Sequence, residues 1–385
     1  MRWITNIRFP LPSSHLDQEK SWNICLDNAN IIRSIKPDRI DSNIDFSDWD
    51  RDWLSPMGVD LQINGGLGIA FNDLSFQHLP KIFEILDLLW NNGVEAICPT
   101  VVTSSLGSLR NSLEVLKEAR KLESRQSCKL LGAHLEGPFL SKKFHGAHDL
   151  GHILEPSKLA LEQRIGGFES EIALVTLAPE LDGASEIIEY LKRKKILVSL
   201  GHSAATAEES ELAFAQGISM ITHAFNAMNG IHHRSPGPIG QVMRHEKVMV
   251  GLIADGVHVH PNIAFMLHKL LAKQIFLVSD ALPAYGTDQS EFFWNDQLLV
   301  VKEGACRLKN GKLAGSTLSL LEGCKRLAKW TGDPSSAIWS ATISPRYALD
   351  QGKSIEDFLI GKPLRELLRW RFQKDSTDLV WTRAE

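Results

Sequence analysis

A (β/α)₈ barrel, with a small β-sandwich built from both chain ends, is the α/β fold this 385-residue sequence predicts. Three observations carry that expectation. From about residue 56 to residue 280, short apolar runs alternate with longer helix-period segments, the pattern of parallel strands each followed by a helix. The runs number eight, enough to close a barrel. Polar, chemistry-bearing residues collect where the runs stop, and in this fold all such ends emerge at one mouth.

The expected barrel strands are Val59–Ile63, Glu95–Val102, Leu130–Leu135, Ile172–Leu177, Ile196–Leu200, Met220–Thr222, Val248–Ile253 and Ile275–Val278. Amphipathic segments between them read as helices at Leu79–Trp90, Leu106–Leu122, Ser185–Arg193, Ala207–Ala215 and Ile263–Leu271. Ahead of the barrel, Trp3–Phe9, Trp22–Leu26 and Ile31–Ile35 read as short strands separated by polar turns. After Asp280 a β excursion is expected near 298–314, then helices at Leu318–Trp330, Ser336–Ile343 and Pro345–Leu349. The division predicted is 1–55 for the first part of the small domain, 56–345 for the barrel and 346–385 for a C-terminal segment that completes or flanks the small domain.

Composition removes whole classes of function. Lys plus Arg number 42 against 46 Asp plus Glu, a net charge of −4, so no bulk basic field exists to hold nucleic acid or anionic lipid. No apolar run approaches the roughly 18 residues of a membrane helix. The five cysteines form no C-x-x-C pair, which argues against a disulfide framework and for a reducing, cytoplasmic setting.

The strand ends supply the chemistry. Glu136, His202 and His223 close three different strands and offer one carboxylate and two imidazoles, the protein half of a catalytic metal site that keeps one position open for water. Such a metal makes its water acidic near neutral pH. Asp280, at the end of the eighth strand, is placed to take that proton and return it to a leaving group. A single buried His or Glu is more often a hydrogen-bonded core residue. Four on four separate strands are not so explained, and twelve of the fourteen histidines lie between His134 and His268. Gln62 and Asn64 share one strand face, so both can look into the mouth. Their neutral amides are poor ligands but good hydrogen-bond partners. One metal is therefore expected, with these two amides beside it or serving only local backbone groups.

The segments Pro56-Met-Gly-Val-Asp-Leu-Gln-Ile-Asn-Gly-Gly66, His134-Leu-Glu-Gly-Pro-Phe139, Gly146-Ala-His148, Leu177-Ala-Pro-Glu180 and Ser199-Leu-Gly-His-Ser203 form an ordered set. It continues through Thr222-His-Ala-Phe-Asn-Ala-Met228, His232-His-Arg-Ser-Pro-Gly237, Ile253-Ala-Asp-Gly-Val-His-Val259, Val278-Ser-Asp-Ala281 and Leu313-Ala-Gly-Ser-Thr-Leu318. The set resembles the N-acetylglucosamine-6-phosphate deacetylases of the amidohydrolase superfamily. The resemblance implies one divalent metal per subunit on Glu136, His202 and His223, zinc first and iron or another divalent ion next. It implies Asp280 as acid and base, and His148 and His258 as sugar and carbonyl contacts. It implies Asn226, Ala227 and Arg234 at the phosphate, with Arg234 reaching a neighbouring subunit's site in a homodimer. Gln62 and Asn64 stand where two-metal relatives carry a His-x-His pair. His145, His152 and His260 are read as structural, while His232 and His233 either assist the phosphate or shape their loop.

The implied reaction is hydrolysis of the acetamide of N-acetylglucosamine 6-phosphate to glucosamine 6-phosphate and acetate. Deacetylation of another N-acetyl-hexosamine phosphate, cyclic-amide hydrolysis, or a sugar-phosphate-binding relative without catalysis are the alternatives. Two departures from the family pattern stand out. Gly361-Lys-Pro-Leu-Arg-Glu366 runs into a basic, Trp-containing tail where an Ala-Asp-Leu-Val-like strand is usual, and Pro283-Ala-Tyr285 follows the catalytic aspartate.

Overall fold

The computed structural model describes residues 2–12, 20–37, 46–122, 124, 126–294, 297–349 and 354–385. The eight apolar runs form eight strands: β1 Gly58–Ile63, β2 Val94–Val102, β3 Ala133–Glu136, β4 Ile172–Leu177, β5 Leu197–Leu200, β6 Met220–Ile221, β7 Met249–Ile253 and β8 Ile275–Val278. Each pairs in parallel with the next. The ring closes just beyond the strand ends, where Asp280 N donates to Gln62 O at 2.9 Å and Asn64 N donates to Ala281 O at 2.8 Å. That seam sets Asp280 beside Gln62 and Asn64.

Eight helices follow the strands: α1 Leu79–Asn91, α2 Leu106–Lys121, α3 Lys158–Ile165, α4 Ala184–Arg193, α5 Ala207–Gln216, α6 Gly237–Val242, α7 Pro261–Leu271 and α8 Leu320–Thr331. α3 and α6 escape the sequence reading for physical reasons. Leu159 of α3 points outward and is 66% exposed, which blurs its apolar stripe. α6 opens on Gly-Pro and spans under two turns. Outward strand residues such as Ile97, Leu135, Val175 and Leu277 share one core with Ile82, Leu113, Ile187 and Leu267 of the helices. Burial on both faces is what makes parallel strands read as continuous apolar runs.

Inside the barrel, Val59, Leu61, Ala96, Cys98, Leu174, Met220, Phe276 and Val278 pack with Ala348 as an apolar plug. Val59 and Leu61 belong to this plug, yet Gln62 faces the carboxylates at the mouth. The β1–β2 register shifts between Asp60 and Ile63, and that irregularity changes which residues point inward. A polar layer lies between plug and mouth. Ser199 Oγ lies 2.6 Å from Thr222 Oγ1, which lies 2.7 Å from Thr176 Oγ1, which lies 2.7 Å from His134 Nε2, while His134 Nδ1 lies 3.1 Å from Leu61 O. The carbonyl can only accept, so His134 donates from Nδ1 and accepts at Nε2, and each hydroxyl donates once along the chain. Burial pushes His134 down to about 4, which keeps the ring in the neutral form this chain requires.

The small domain has two sheets. One runs Ile32–Lys36, Trp22–Leu26, Arg2–Ile7, Phe46–Asp48; the other runs Leu379–Arg383, Leu367–Phe372, Trp53–Pro56. They share a core of Ile4, Ile24, Ile32, Leu54, Leu364 and Leu367. Trp53–Pro56 straddles the expected boundary at 55/56 and leaves only Met57 before β1. The tail that departs from the family pattern is an antiparallel hairpin. Its Trp370 is fully buried and donates from Nε1 to Ser55 Oγ at 2.9 Å.

The β excursion is a four-stranded antiparallel flap, Glu291–Trp294, Gln297–Lys302, Ala305–Leu308 and Leu313–Ser316. Its first strand is absent from the sequence reading. The flap sits at the barrel mouth. Ser316 N donates to Asp280 O at 2.9 Å, and Trp294, Leu299 and Cys306 pack on Val102, Ala147 and Leu282. Among the described residues, no helix is long and apolar enough to cross a membrane.

The polar layer generates a pH prediction. A free imidazole titrates near 6.5, whereas folded His134 stays neutral to about 4. Its folded value lies below its unfolded value, so its contribution is complete above about 6.5. It is lost as pH falls towards 4, by about 3 kcal/mol in all. His134→Gln keeps one acceptor and one donor but cannot titrate. The stability gap between wild type and variant in urea unfolding should shrink as pH drops from 7 to 4.5; a gap independent of pH refutes the neutral-histidine layer.

Candidate active site

The mouth opens into a cavity of about 250 Å³. At its floor Glu136 Oε1 lies 3.0 Å from His223 Nε2 and 3.2 Å from His202 Nε2, and the two imidazole nitrogens are 3.1 Å apart. His202 Nδ1 donates to Phe144 O at 2.9 Å, which leaves Nε2 with its lone pair facing the floor. His148 Nε2 stands 3.7 Å from the other carboxylate oxygen, Glu136 Oε2. Glu136, His148 and His202 offer ligand atoms within 4.8 Å of one another. The trio Glu136–His202–His223 is tighter and converges on one oxygen, so it is the better cation cage.

The donor set itself tests the fit to a metal. Two imidazole nitrogens and a carboxylate oxygen packed at about 3 Å set lone pair against lone pair unless a proton or cation lies among them. His223 Nδ1 and His148 Nδ1 are buried without a hydrogen-bond partner, so neither ring is held by a partner on that nitrogen. One carboxylate and two imidazoles at one point match the hard–borderline ligand set of a divalent metal. Burial would raise Glu136, but the close contacts with the His202 and His223 imidazoles outweigh it and hold the carboxyl well below the usual range. Burial opposes charge on His223, yet the bond to Glu136 and the charges of Glu136 and Asp280 raise it.

Asp280 sits beside this cage. Asn64 Nδ2 donates to its Oδ1 at 2.7 Å and Gln62 Nε2 reaches the same oxygen at 3.4 Å. Gln62 Nε2 also donates to Glu136 Oε1 at 3.0 Å. The two amides thus tie the aspartate to the glutamate. Burial first, and then the Glu136 charge, push Asp280 up to about 7. Burial, and then the neighbouring His202 imidazole, bring His148 down to about 3, so its ring stays neutral.

Asn226, Ala227, His258 and His148 also line the cavity. His258 Nδ1 lies 2.6 Å from Asp255 Oδ2, which leaves its Nε2 for the cavity. Arg234 does not line the cavity of its own chain. It lies on an exposed loop, with Nη1 3.0 Å from His233 Nε2. His232 and Ser235 close that loop. His152 pairs with Asp149 at 3.0 Å, and His260 caps α7. Lys143, Phe144, Trp294, Lys312, Leu313 and Ala314 complete the wall and went unassigned in the sequence reading. A signal existed for the last two, since Leu313 and Ala314 open the last family-like segment.

Two glycines are dictated by space. Gly137 has φ +95°, and a Cβ there would meet Thr103 Oγ1 at 2.1 Å. Gly146 has φ +61°, and a Cβ would meet His202 Cε1 at 2.8 Å. His202, His223 and Asp280 themselves adopt φ of 48°, 26° and 48°. Left-handed backbone is costly for such residues and persists where surrounding bonds enforce it.

No family model matches the chain. Curated relatives and solved structures do. An N-acetylglucosamine-6-phosphate deacetylase of Vibrio furnissii is 33% identical over 310 residues, 80% of this chain and 77% of that protein. An N-acetylgalactosamine-6-phosphate deacetylase of Escherichia coli O157:H7 is 31% identical over 317 residues, 82% of each. The crystal structure of N-acetylglucosamine-6-phosphate deacetylase from Thermotoga maritima superposes with a TM-score of 0.79 at 28% identity, covering 99% of this chain and 98% of that one.

Glu180 ends the segment Leu177-Ala-Pro-Glu180. Its Oε2 accepts from Ser203 Oγ at 2.6 Å and its Oε1 from Ala204 N at 2.5 Å. Both donors follow His202 directly, so one carboxylate fixes the turn that holds His202 in its left-handed conformation. Glutamine at 180 has one acceptor oxygen for two donors. Glu180→Gln should weaken divalent-metal binding by about tenfold, the lower range for outer-sphere partners of metal ligands. Competition with a chromophoric chelator reads this directly, and an affinity equal to wild type refutes the role.

Proposed function

The chain belongs to the N-acetylglucosamine-6-phosphate deacetylase family of the amidohydrolase superfamily, and on that premise we propose that it hydrolyses the acetamide of N-acetylglucosamine 6-phosphate to acetate and glucosamine 6-phosphate. The observation that carries the reading is the meeting of Glu136 Oε1, His202 Nε2 and His223 Nε2 beside Asp280. A pocket that only bound sugar phosphate has no use for converging lone pairs next to a buried acid.

Glu136, His202 and His223 would hold one divalent ion, zinc in this proposal, since two imidazoles and a carboxylate form a known catalytic zinc set. When bound, the ion supplies Lewis acidity at the floor of the cavity. The remaining work falls to side chains. Asp280, oriented by Asn64 and Gln62, removes a proton from the water whose oxygen bonds to the acetyl carbon. It returns that proton to the amide nitrogen as the carbon–nitrogen bond breaks, because an amine leaves poorly unless protonated. His148, neutral through burial, donates a ring N–H to the carbonyl oxygen as charge develops there. His258, fixed by Asp255, contacts the sugar through Nε2. Asn226 and Ala227 receive the phosphate. Arg234, exposed and outside its own cavity, reaches the site of a second copy in a homodimer, where its guanidinium can grip phosphate bidentately. The buried cysteine thiols suit a cytoplasmic setting.

A second substrate reading has one observation in its favour, the 31% identity to an N-acetylgalactosamine-6-phosphate deacetylase. Acetate release from both epimeric phosphates and from unphosphorylated N-acetylglucosamine, at measured metal content, separates the readings. The glucosamine phosphate should have the highest kcat/KM; preference for the other epimer moves the assignment to it, and no acetate from any of the three overturns the enzymatic reading. Asp280→Asn should cut kcat at least a hundredfold while substrate still binds, in line with the usual size of general acid–base catalysis. Near-normal acetate release by that variant removes Asp280 from the mechanism.

A further inference from the structure

We propose that Lys312, presented by the flap and braced by His145, together with Lys143, forms a phosphate-recognition rim supplied by the same chain that holds the catalytic floor. The proposal rests on the reading that the substrate is a phosphorylated amino sugar. It adds two cations to the residues expected at the phosphate.

The cavity is graded from floor to rim. Glu136, His148, His202, His223 and Asp280 are buried, whereas Lys143 and Lys312 are exposed. An acetamide attacked beside Asp280 must sit at the floor. The phosphate, on the far side of the sugar ring, then lies towards the rim. Among the described residues lining the cavity, Lys143 and Lys312 are the only lysines or arginines. A phosphate dianion entering a site that already contains two carboxylates needs cationic partners, and an ammonium serves as a point charge for it.

Lys312 is set in place by structure around it. Its backbone N donates to Asn310 Oδ1 at 3.1 Å, and its carbonyl accepts from Leu308 N at 2.9 Å, so the hairpin turn fixes its start. Its Nζ lies 3.3 Å from His145 Nε2. His145 Nδ1 donates to His148 O at 2.9 Å, so Nε2 is the acceptor and the ammonium keeps two N–H groups for a ligand. His145 thereby joins the flap to the loop that carries His148. This gives a purpose to a histidine otherwise read as structural, and to a flap that would otherwise merely cover the mouth.

The test compares Lys312→Ala, Lys143→Ala and the double variant with Lys309→Ala, an exposed lysine of the same hairpin outside the cavity. kcat/KM for the phosphorylated sugar should fall about tenfold per rim lysine, carried by KM. For the unphosphorylated sugar the fall should be much smaller. Inorganic phosphate, used as a competitive inhibitor, should lose affinity by the same factor in the rim variants and keep it in Lys309→Ala. Equal losses on both sugars, or an unchanged phosphate inhibition constant, overturn the rim. A wild-type protein that releases acetate from no phosphorylated sugar overturns the functional reading instead, and inorganic phosphate binding, followed by calorimetry, still decides the rim in that case.

Discussion

Three lone pairs meeting at the floor of the barrel impose the strictest constraint on this molecule. Glu136 Oε1, His202 Nε2 and His223 Nε2 come from three strand ends and stand about 3 Å apart. Left to itself such a cluster repels, and the chain spends much of its local structure on enforcing it. Phe144 O fixes the His202 tautomer, Gln62 leans on the carboxylate, and Glu180 clamps the turn after His202. The left-handed φ values of His202, His223 and Asp280 belong to the same effort. Strain gathered at a site and borne by the surrounding scaffold is a common arrangement, and the scaffold here is a ring of eight short strands.

The layers beneath explain how so polar a floor is tolerated. An apolar plug fills the lower barrel, and the Ser199–Thr222–Thr176–His134 chain separates it from the charged groups above. Each hydroxyl of that chain has a hydrogen-bond partner, and Thr222, Thr176 and His134 both give and receive. A neutral histidine ends the chain because a charged one would have to donate at both nitrogens and would break its direction. The register shift in β1 then turns Gln62 upward without disturbing Leu61 below it.

The barrel and its floor were readable because burial on both faces of a parallel strand leaves uninterrupted apolar runs, against which a terminal Glu, His or Asp stands out. Ile172–Leu177 and Ile275–Val278 matched to the residue for that reason. The half-exposed antiparallel parts behaved differently. Glu291–Trp294 alternates exposed and buried positions over only four residues, with Phe293 75% exposed, so neither its length nor its polarity announces a strand. The C-terminal hairpin looked basic because one face carries Arg369 and Arg371 while Trp370 turns fully inward. Backbone partners were out of reach altogether: a carbonyl such as Phe144 O has no signature in the side-chain alphabet.

This difference between barrel and flap bears on how substrate choice is divided in the fold. Under the proposed chemistry the floor must keep its geometry, so its residues answer to the Glu136–His202–His223 cluster and to Asp280. The flap meets no such demand. It touches the strand end that carries Asp280 through backbone bonds, Ser316 N to Asp280 O and Leu282 N to Ser316 O, through one side-chain bond, Ser316 Oγ to Ser279 O at 2.6 Å, and through the packing of Trp294 and Leu299. Its side chains at Lys312, Leu313 and Ala314 can therefore vary without altering the Glu136–His202–His223 cluster, while its backbone keeps them at the cavity wall. Loops and excursions at the open end of a barrel commonly carry specificity for this physical reason. Two relatives whose names differ in the epimer they act on are each more than 30% identical to this chain, which supports the proposed division of chemistry at the floor and selection at the rim.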